Sequence, residues 1–351
     1  MQQQAECVTE TQIQNARLEK RECFLSRFFD LSKIEIIALV ADASFRRYYR
    51  IIGADKAYLL MEDPTDRPPV PPLVMVEPFI KISKHLGGLG LSSPCVYEQN
   101  IEDGLLLIED WGDNTYTNLL ATSGDERKLY ELATDVLIHL HQQEGKLDIE
   151  LPTYSESAML DEAMLLMDWY VPETSSVEIT TPFRTEYQEI WKTLFKTLPV
   201  DQTTMVLRDY HVDNLIYLPN RQGVKACGLL DFQDALVGHY SYDLMSLLED
   251  ARREVPLELQ KQLLERYFKG MGNDLDQERF LSSYRILAAQ RHAKVVGIFV
   301  RLCKRDGKNK YLQFLPHVQN LLVKSMQTPI MKPLNNFFEQ NNIDLTKTVN
   351  I

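Results

Sequence analysis

The sequence predicts an α+β chain of two lobes: a small β-rich N-terminal lobe and a larger, mainly helical C-terminal lobe, with the active site between them. Three features point there. Short apolar runs broken by turn residues fill the chain up to Glu109. Helical spacing of apolar residues takes over after Asn114. One compact β-rich patch, Met205 to Leu236, interrupts those helices and concentrates acidic and amide side chains. Strand patterns followed by helix patterns, rather than strict alternation, mark segregated α and β layers. The lobes are therefore drawn as residues 1–109 and 110–351.

Taken in order, Thr11 to Phe29 has near-helical spacing of apolar residues, with charges between them. Ser44–Ile52 alternates weakly and Tyr58–Met61 is a short apolar run, as expected of strands. Asp63–Pro72 carries five prolines and breaks the pattern. Val74–Leu86 reads as a helix stopped by Gly87-Gly88, and Val96–Glu98 and Leu105–Ile108 as two further strands. In the second lobe Leu129, Leu132, Val136, Leu137 and Leu140 form one face of a helix over Glu126–Gln143. Helices are also expected over Ser157–Tyr170, Glu186–Leu198, Tyr242–Glu249, Leu257–Lys269, Asp276–Arg301 and Tyr311–Met326. The sequence assigns no role to the first 25 residues or to the tail after Pro333.

The chain has 351 residues, 44% hydrophobic and 25% charged, enough to bury a sizeable core. Its formal net charge of -12 argues against a nucleic-acid partner, since phosphate backbones are held by Lys and Arg patches. Five cysteines at wide spacings, with no C-x-x-C pair, argue against structural zinc or a disulfide framework and for reduced thiols in a cytoplasm. The N-terminus lacks the apolar stretch of a signal peptide and no apolar run approaches a membrane span, so a soluble cytoplasmic protein is expected.

The chemistry concentrates in Val206-Leu207-Arg208-Asp209-Tyr210-His211-Val212-Asp213-Asn214-Leu215-Ile216. An Asp followed five residues later by an Asn, then an apolar strand, matches the catalytic loop of kinase-like folds. There a carboxylate orients the attacking hydroxyl and a neutral amide oxygen ligates magnesium. Gly223 supplies a turn, and Gly228-Leu229-Leu230-Asp231 then brings a second carboxylate to a strand end, a position suited to bridging metal and phosphates. Each of Asp209, Asn214 and Asp231 alone is an ordinary turn residue. Their order and the hairpin between them point to a metal site.

Other candidates carry two readings each. Asp243 opens a helix, where a carboxylate complements the dipole, and it can equally hydrogen-bond back to support the loop. His211 is a loop-support residue or a packed polar one. Asp42-Ala43-Ser44-Phe45-Arg46-Arg47 is a turn and strand that can cover a triphosphate with backbone N–H groups, the Ser44 hydroxyl and the Arg46 and Arg47 charges, or simply an exposed edge. The remaining histidines form no metal-ligand pattern, because His139 and His141 do not share a helix face.

These residues resemble the aminoglycoside phosphotransferase family, which has a protein-kinase-like fold. Asp42-Ala43-Ser44-x-Arg46-Arg47-Tyr48, Leu106-Leu107-Ile108-Glu109-Asp110, Leu230-Asp231-Phe232-Gln233-Asp234-Ala235 and Gly297-Ile298-Phe299-x-Arg301-Leu302 are similar to one branch, the bacterial anomeric kinases of N-acetylmuramate and N-acetylglucosamine. The resemblance implies an ATP- and Mg2+-dependent sugar kinase that feeds peptidoglycan recycling. It implies Asp209 as base toward the anomeric hydroxyl, Asn214 and Asp231 as magnesium ligands, and the backbone near Leu107, Glu109 and Asp110 as adenine hinge. Asp168, Trp169 and Tyr170, with Asp234, are the candidate sugar contacts, although the aromatics can equally be core.

Two departures stand out. Leu207 occupies the place of a loop-buttressing histidine, and Met61 ends the strand from which a kinase lysine would reach the phosphates, with Lys56 at the strand's start. Arg46 or Arg47 is the expected substitute charge. Two rival functions keep the fold: a kinase of another small alcohol such as an aminoglycoside, choline or homoserine, and a nucleotide-binding pseudokinase.

Overall fold

The computed structural model describes residues 10–39, 46–63, 76–122, 124–143, 148–273 and 275–349. Two compact units divide the chain. The first is Met1–Asn114 together with Gly228–Gln233, and the second is Thr115–Cys227 together with Asp234–Ile351.

The first unit contains helix α1 (Glu10–Ser26), strands β1 (Glu35–Ala38), β2 (Arg47–Ile52) and β3 (Tyr58–Glu62), helix α2 (Val76–Gly88), and strands β4 (Val96–Asn100) and β5 (Leu105–Glu109). The sheet is antiparallel throughout, in the order β1-β2-β3-β5-β4. Side chains two apart on a strand share a face. Tyr49 and Ile51, Tyr58 and Leu60, and Leu105 and Leu107 accordingly form one apolar surface, on which Phe24 and Leu25 of α1 pack. Phe79 of α2 meets Phe232, with ring centroids 4.9 Å apart. The later segment Gly228–Gln233 is thus built into this unit, and Leu229 N–H donates to Ser92 O at 2.8 Å. Strand β1 was not expected. All four of its residues are exposed, so it buries no face that would impose alternation.

The second unit contains helices α3 (Tyr116–Thr122), α4 (Glu126–His141), α5 (Glu156–Leu165), α6 (Val171–Thr174) and α7 (Thr181–Phe195). Strands β6 (Thr203–Val206), β7 (Leu215–Tyr217), β8 (Cys227–Leu229) and β9 (Leu236–His239) follow. Helices α8 (Ser241–Leu248), α9 (Leu257–Met271), α10 (Gln277–Asp306), α11 (Leu315–Met326) and α12 (Lys332–Gln340) complete the chain. The last two residues of β8 belong to the first unit. Helix starts follow local chemistry: Asp125, Ser155, Thr180 and Asp276 each accept an N–H from the first turn they precede.

Helix α10 is the axis of this unit. It runs five residues past the expected Arg301 and stops where Gly307 takes a left-handed φ of 66°. It can lie against α5 because residue 297 is glycine: a Cβ there would meet the Leu165 main chain at 2.3 Å. The tail is also structural. Phe337 and Phe338 of α12 pack on Tyr187, with ring centroids 5.6 and 6.0 Å away. Among the described residues no helix is long and apolar enough to cross a membrane.

Candidate active site

In the second unit, β6 pairs with β9 and delivers the chain into the loop Leu207–Asn214. The loop is pinned from below by Asp243 of α8, which has no solvent exposure. Its carboxylate accepts the Leu207 N–H at 2.6 Å and the Arg208 N–H at 3.0 Å. Burial pushes the Asp243 carboxyl up to about 7 against those two bonds and the nearby Arg291. Arg208 has a φ of 69°, a left-handed conformation that an L-residue holds only when its surroundings impose it. The next residue, Asp209, is thereby turned outward, and its side chain is 43% exposed.

Asn214 closes the loop, its Nδ2 donating to Asp209 O at 2.9 Å. The amide oxygen is left for another ligand. His211 is buried, and Arg252 Nη1 lies 3.4 Å from its Nε2. Burial outweighs the nearby Asp250 and holds the imidazole below its usual range, hence neutral. Tyr210 fixes the loop from the far side by donating to Ala133 O at 2.8 Å.

Sequence reasoning missed the cationic support of Asp209. Arg291 of α10 donates from Nη1 to Arg208 O at 3.1 Å and to the Tyr242 hydroxyl at 3.3 Å, and its Nη2 stands 3.6 Å from the Asp209 carboxylate. One turn on, Lys294 Nζ reaches Glu162 at 2.8 Å. Glu162 also accepts from Arg208 Nη2 at 2.5 Å, from Gln290 Nε2 at 3.1 Å and from the Tyr154 hydroxyl. Burial would raise both carboxyls. Instead Arg291, Lys294 and Arg208 hold Asp209 at about 2, and Lys294, Tyr154 and Arg208 hold Glu162 below its usual range. The available signal was Gln290, Arg291 and Lys294 amid alanines and valines, polar groups in a helix whose neighbours are all core.

The first unit carries the second carboxylate. Asp231 also has a left-handed φ, 54°, and its Oδ1 accepts Gln233 Nε2 at 2.8 Å and Arg46 Nη1 at 3.2 Å. Arg46 is buried and its Nε donates to the buried Asp63 at 3.3 Å. Arg47 points elsewhere and donates to Gln14 of α1 at 2.8 Å. Ser44 lies outside the described residues, as does most of Asp63–Pro72.

The other expected contact residues are placed as follows. Leu107 has a core side chain, and its main chain sits in an interior strand between β3 and β4. The N–H groups of Glu109 and Asp110 donate to Cys95 O at 2.9 Å and Ala57 O at 3.2 Å. The Asp110 carboxylate is taken by Arg50, at 2.6 and 3.1 Å, which also binds Asp113. Tyr170 cannot stack on a sugar, since its ring is fully buried and its hydroxyl donates to Asp344 O and Lys347 O of the tail. Asp168 pairs with Arg184 at 2.7 Å, and neighbouring Trp169 is half-buried on the same π-helical turn. Asp234 is exposed, three residues beyond Asp231.

Among the described residues no three His, Cys, Asp or Glu side chains gather into a metal site. The two ligand candidates read from the sequence lie one in each unit, the amide oxygen of Asn214 in the second and the exposed carboxylate of Asp231 in the first, and both are hard donors of the kind magnesium takes.

A family model for phosphotransferase enzymes matches residues 35–281. A curated relative from Caulobacter vibrioides, named N-acetylmuramate/N-acetylglucosamine kinase, is 31% identical over 331 residues, covering 86% of this chain and 91% of the relative. One of the same name from Pseudomonas aeruginosa is 33% identical over 319 residues, covering 86% and 90%. Among solved structures, ADP-bound aminoglycoside phosphotransferase APH(2'')-Ib superposes with a TM-score of 0.57 at 18% identity, covering 89% of this chain and 98% of that one. The fold is therefore that of the kinase-like aminoglycoside phosphotransferases, and the chain belongs to the phosphotransferase enzyme family.

Proposed function

We propose that this enzyme transfers the γ-phosphate of ATP to the anomeric hydroxyl of an N-acetylated amino sugar, N-acetylmuramate or N-acetylglucosamine. Its place would then be in the cytoplasmic recycling of peptidoglycan sugars. The observation that carries the reading is Asp209: an outward-facing carboxylate on a strained, fully pinned loop, held ionised by Arg291. The relatives' names supply the acceptor class.

Asp209 accepts the hydrogen bond of the attacking hydroxyl and aims its oxygen. A carboxylate held at about 2 is a weak base, so its work is orientation, with the proton moving late. That suits a loose transition state in which the nucleophile's bond is little formed and positioning dominates. Asn214 and Asp231 would hold magnesium, which would supply neutralisation of charge on the phosphates. The segment after β5, clamped by Arg50, receives the nucleotide base.

The test is ATP consumption with magnesium across N-acetylmuramate, N-acetylglucosamine, kanamycin, choline and homoserine. Turnover on the amino sugars is expected, falling at least roughly 10²-fold in Asp209→Asn, the loss that follows when the attacking oxygen is no longer aimed. Turnover confined to another acceptor, or an Asp209→Asn enzyme as fast as the parent, overturns the reading.

A further inference from the structure

We propose that Arg46 is the phosphate-binding cation of this enzyme, replacing a lysine that β3 does not have. The inference deepens the kinase reading and rests on it. Strand β3 reads Tyr58-Leu59-Leu60-Met61-Glu62, and Met61 is wholly buried between Tyr48 of β2 and Leu106 of β5. No side chain of β3 can bring positive charge to a triphosphate.

The neighbouring cations are committed in other directions. Arg47 goes to Gln14, Arg50 to Asp110 and Asp113, and Arg21 to Glu62 at 3.1 Å, while Lys56 lies 5.6 Å from the centre of the Tyr97 ring. Arg46, immediately before β2, reaches Asp231, the proposed metal carboxylate. Its tether is a second acid, Asp63, whose side chain is 4% exposed. With a metal on Asp231, Nη1 of Arg46 would turn to a phosphate oxygen while Asp63 keeps the guanidinium in place. The pairing of a phosphate cation with a buried acid is the arrangement a kinase needs, here made by Arg46 and Asp63. Arginine suits the task because its planar fork matches phosphate geometry and its charge survives burial.

The experiment is calorimetric titration of the full chain with Mg·ADP and, separately, with adenosine, for the parent, Arg46→Met, Arg46→Gln and Lys56→Met. The proposal expects both Arg46 variants to weaken Mg·ADP at least tenfold and adenosine less than twofold, with Lys56→Met binding both as the parent does. Equal losses for both ligands mean that Arg46 only holds the sheet together, and overturn it. So does unchanged Mg·ADP affinity, or a selective loss in Lys56→Met. Arg46→Gln keeps a hydrogen bond to Asp63 and answers the question where Arg46→Met does not fold. Turnover of the parent on an amino sugar, measured alongside, tests the substrate reading separately from this one.

Discussion

Replacing Asp243 by asparagine isolates what holds the catalytic loop in its strained form. The two carboxylate oxygens of Asp243 each accept one N–H, at 2.6 and 3.0 Å, in a site without solvent exposure. Asparagine can satisfy one of these donors with its oxygen but must turn its NH2 toward the other. A buried donor left unsatisfied costs about 1–3 kcal/mol. The released N–H belongs to Leu207 or Arg208, next to Asp209, so the carboxylate loses its aim as well, and a misplacement near 1 Å costs roughly 10²-fold in rate. Urea unfolding should show a lower midpoint at unchanged slope, and kcat should fall while the affinity for ATP stays. The pH dependence gives a second reading. The folded value of about 7 lies above that of an unfolded aspartate, near 4, so the folded state holds the proton more tightly. This residue's contribution to stability therefore declines as pH rises from about 4 to about 7, and Asp243→Asn should lack that decline. A variant within 0.5 kcal/mol of the parent, with full kcat, would refute the reasoning.

Glu162→Ala should leave Arg208 and Lys294 without their shared carboxylate; the loss approaches the roughly 3–5 kcal/mol of a broken buried pair, lessened by partial solvent access, and is measured by chemical denaturation. Gly297→Ala forces a Cβ onto the Leu165 main chain; about 1–3 kcal/mol of overpacking is expected, seen as a lowered Tm with Asp209 chemistry otherwise intact. Asp209, held at about 2, is a depressed acid whose stabilising share is present above about pH 4 and is lost only as pH falls through 2. In an Asp243→Asn background, kcat should therefore show no acid limb between pH 4 and 6, and a single-proton limb there would contradict the assignment.

The parts of the fold that bury a regular stripe were legible in the sequence. Helices α4, α9 and α10 declared themselves by apolar spacing, and the loop from Asp209 to Asn214 by order and distance along the chain. Strand β1 was not, because an exposed edge strand needs no alternation. The role of Glu162 was not legible, because its neighbours Arg208 and Lys294 come from segments 46 and 132 residues away. Tyr170 shows the opposite limit: an aromatic beside an acid reads equally as a stacking platform or as core, and contacts from the tail decide it. Arg46 and Arg47 are adjacent and chemically identical in sequence, yet Arg46, just before β2, goes to Asp231 and Arg47, the first residue of β2, to α1.

The split makeup of the first unit has a consequence for biosynthesis. Because Gly228–Gln233 packs within it, with Phe232 against Phe79, the sheet made first on the ribosome lacks a piece of its own core until more than a hundred further residues have been translated. Domains ordinarily fold in order of emergence. Here the N-terminal unit must wait in an unfinished state while much of the helical unit is being made, and a fragment ending at Asn114 would be born without Asp231 and with Phe79 uncovered.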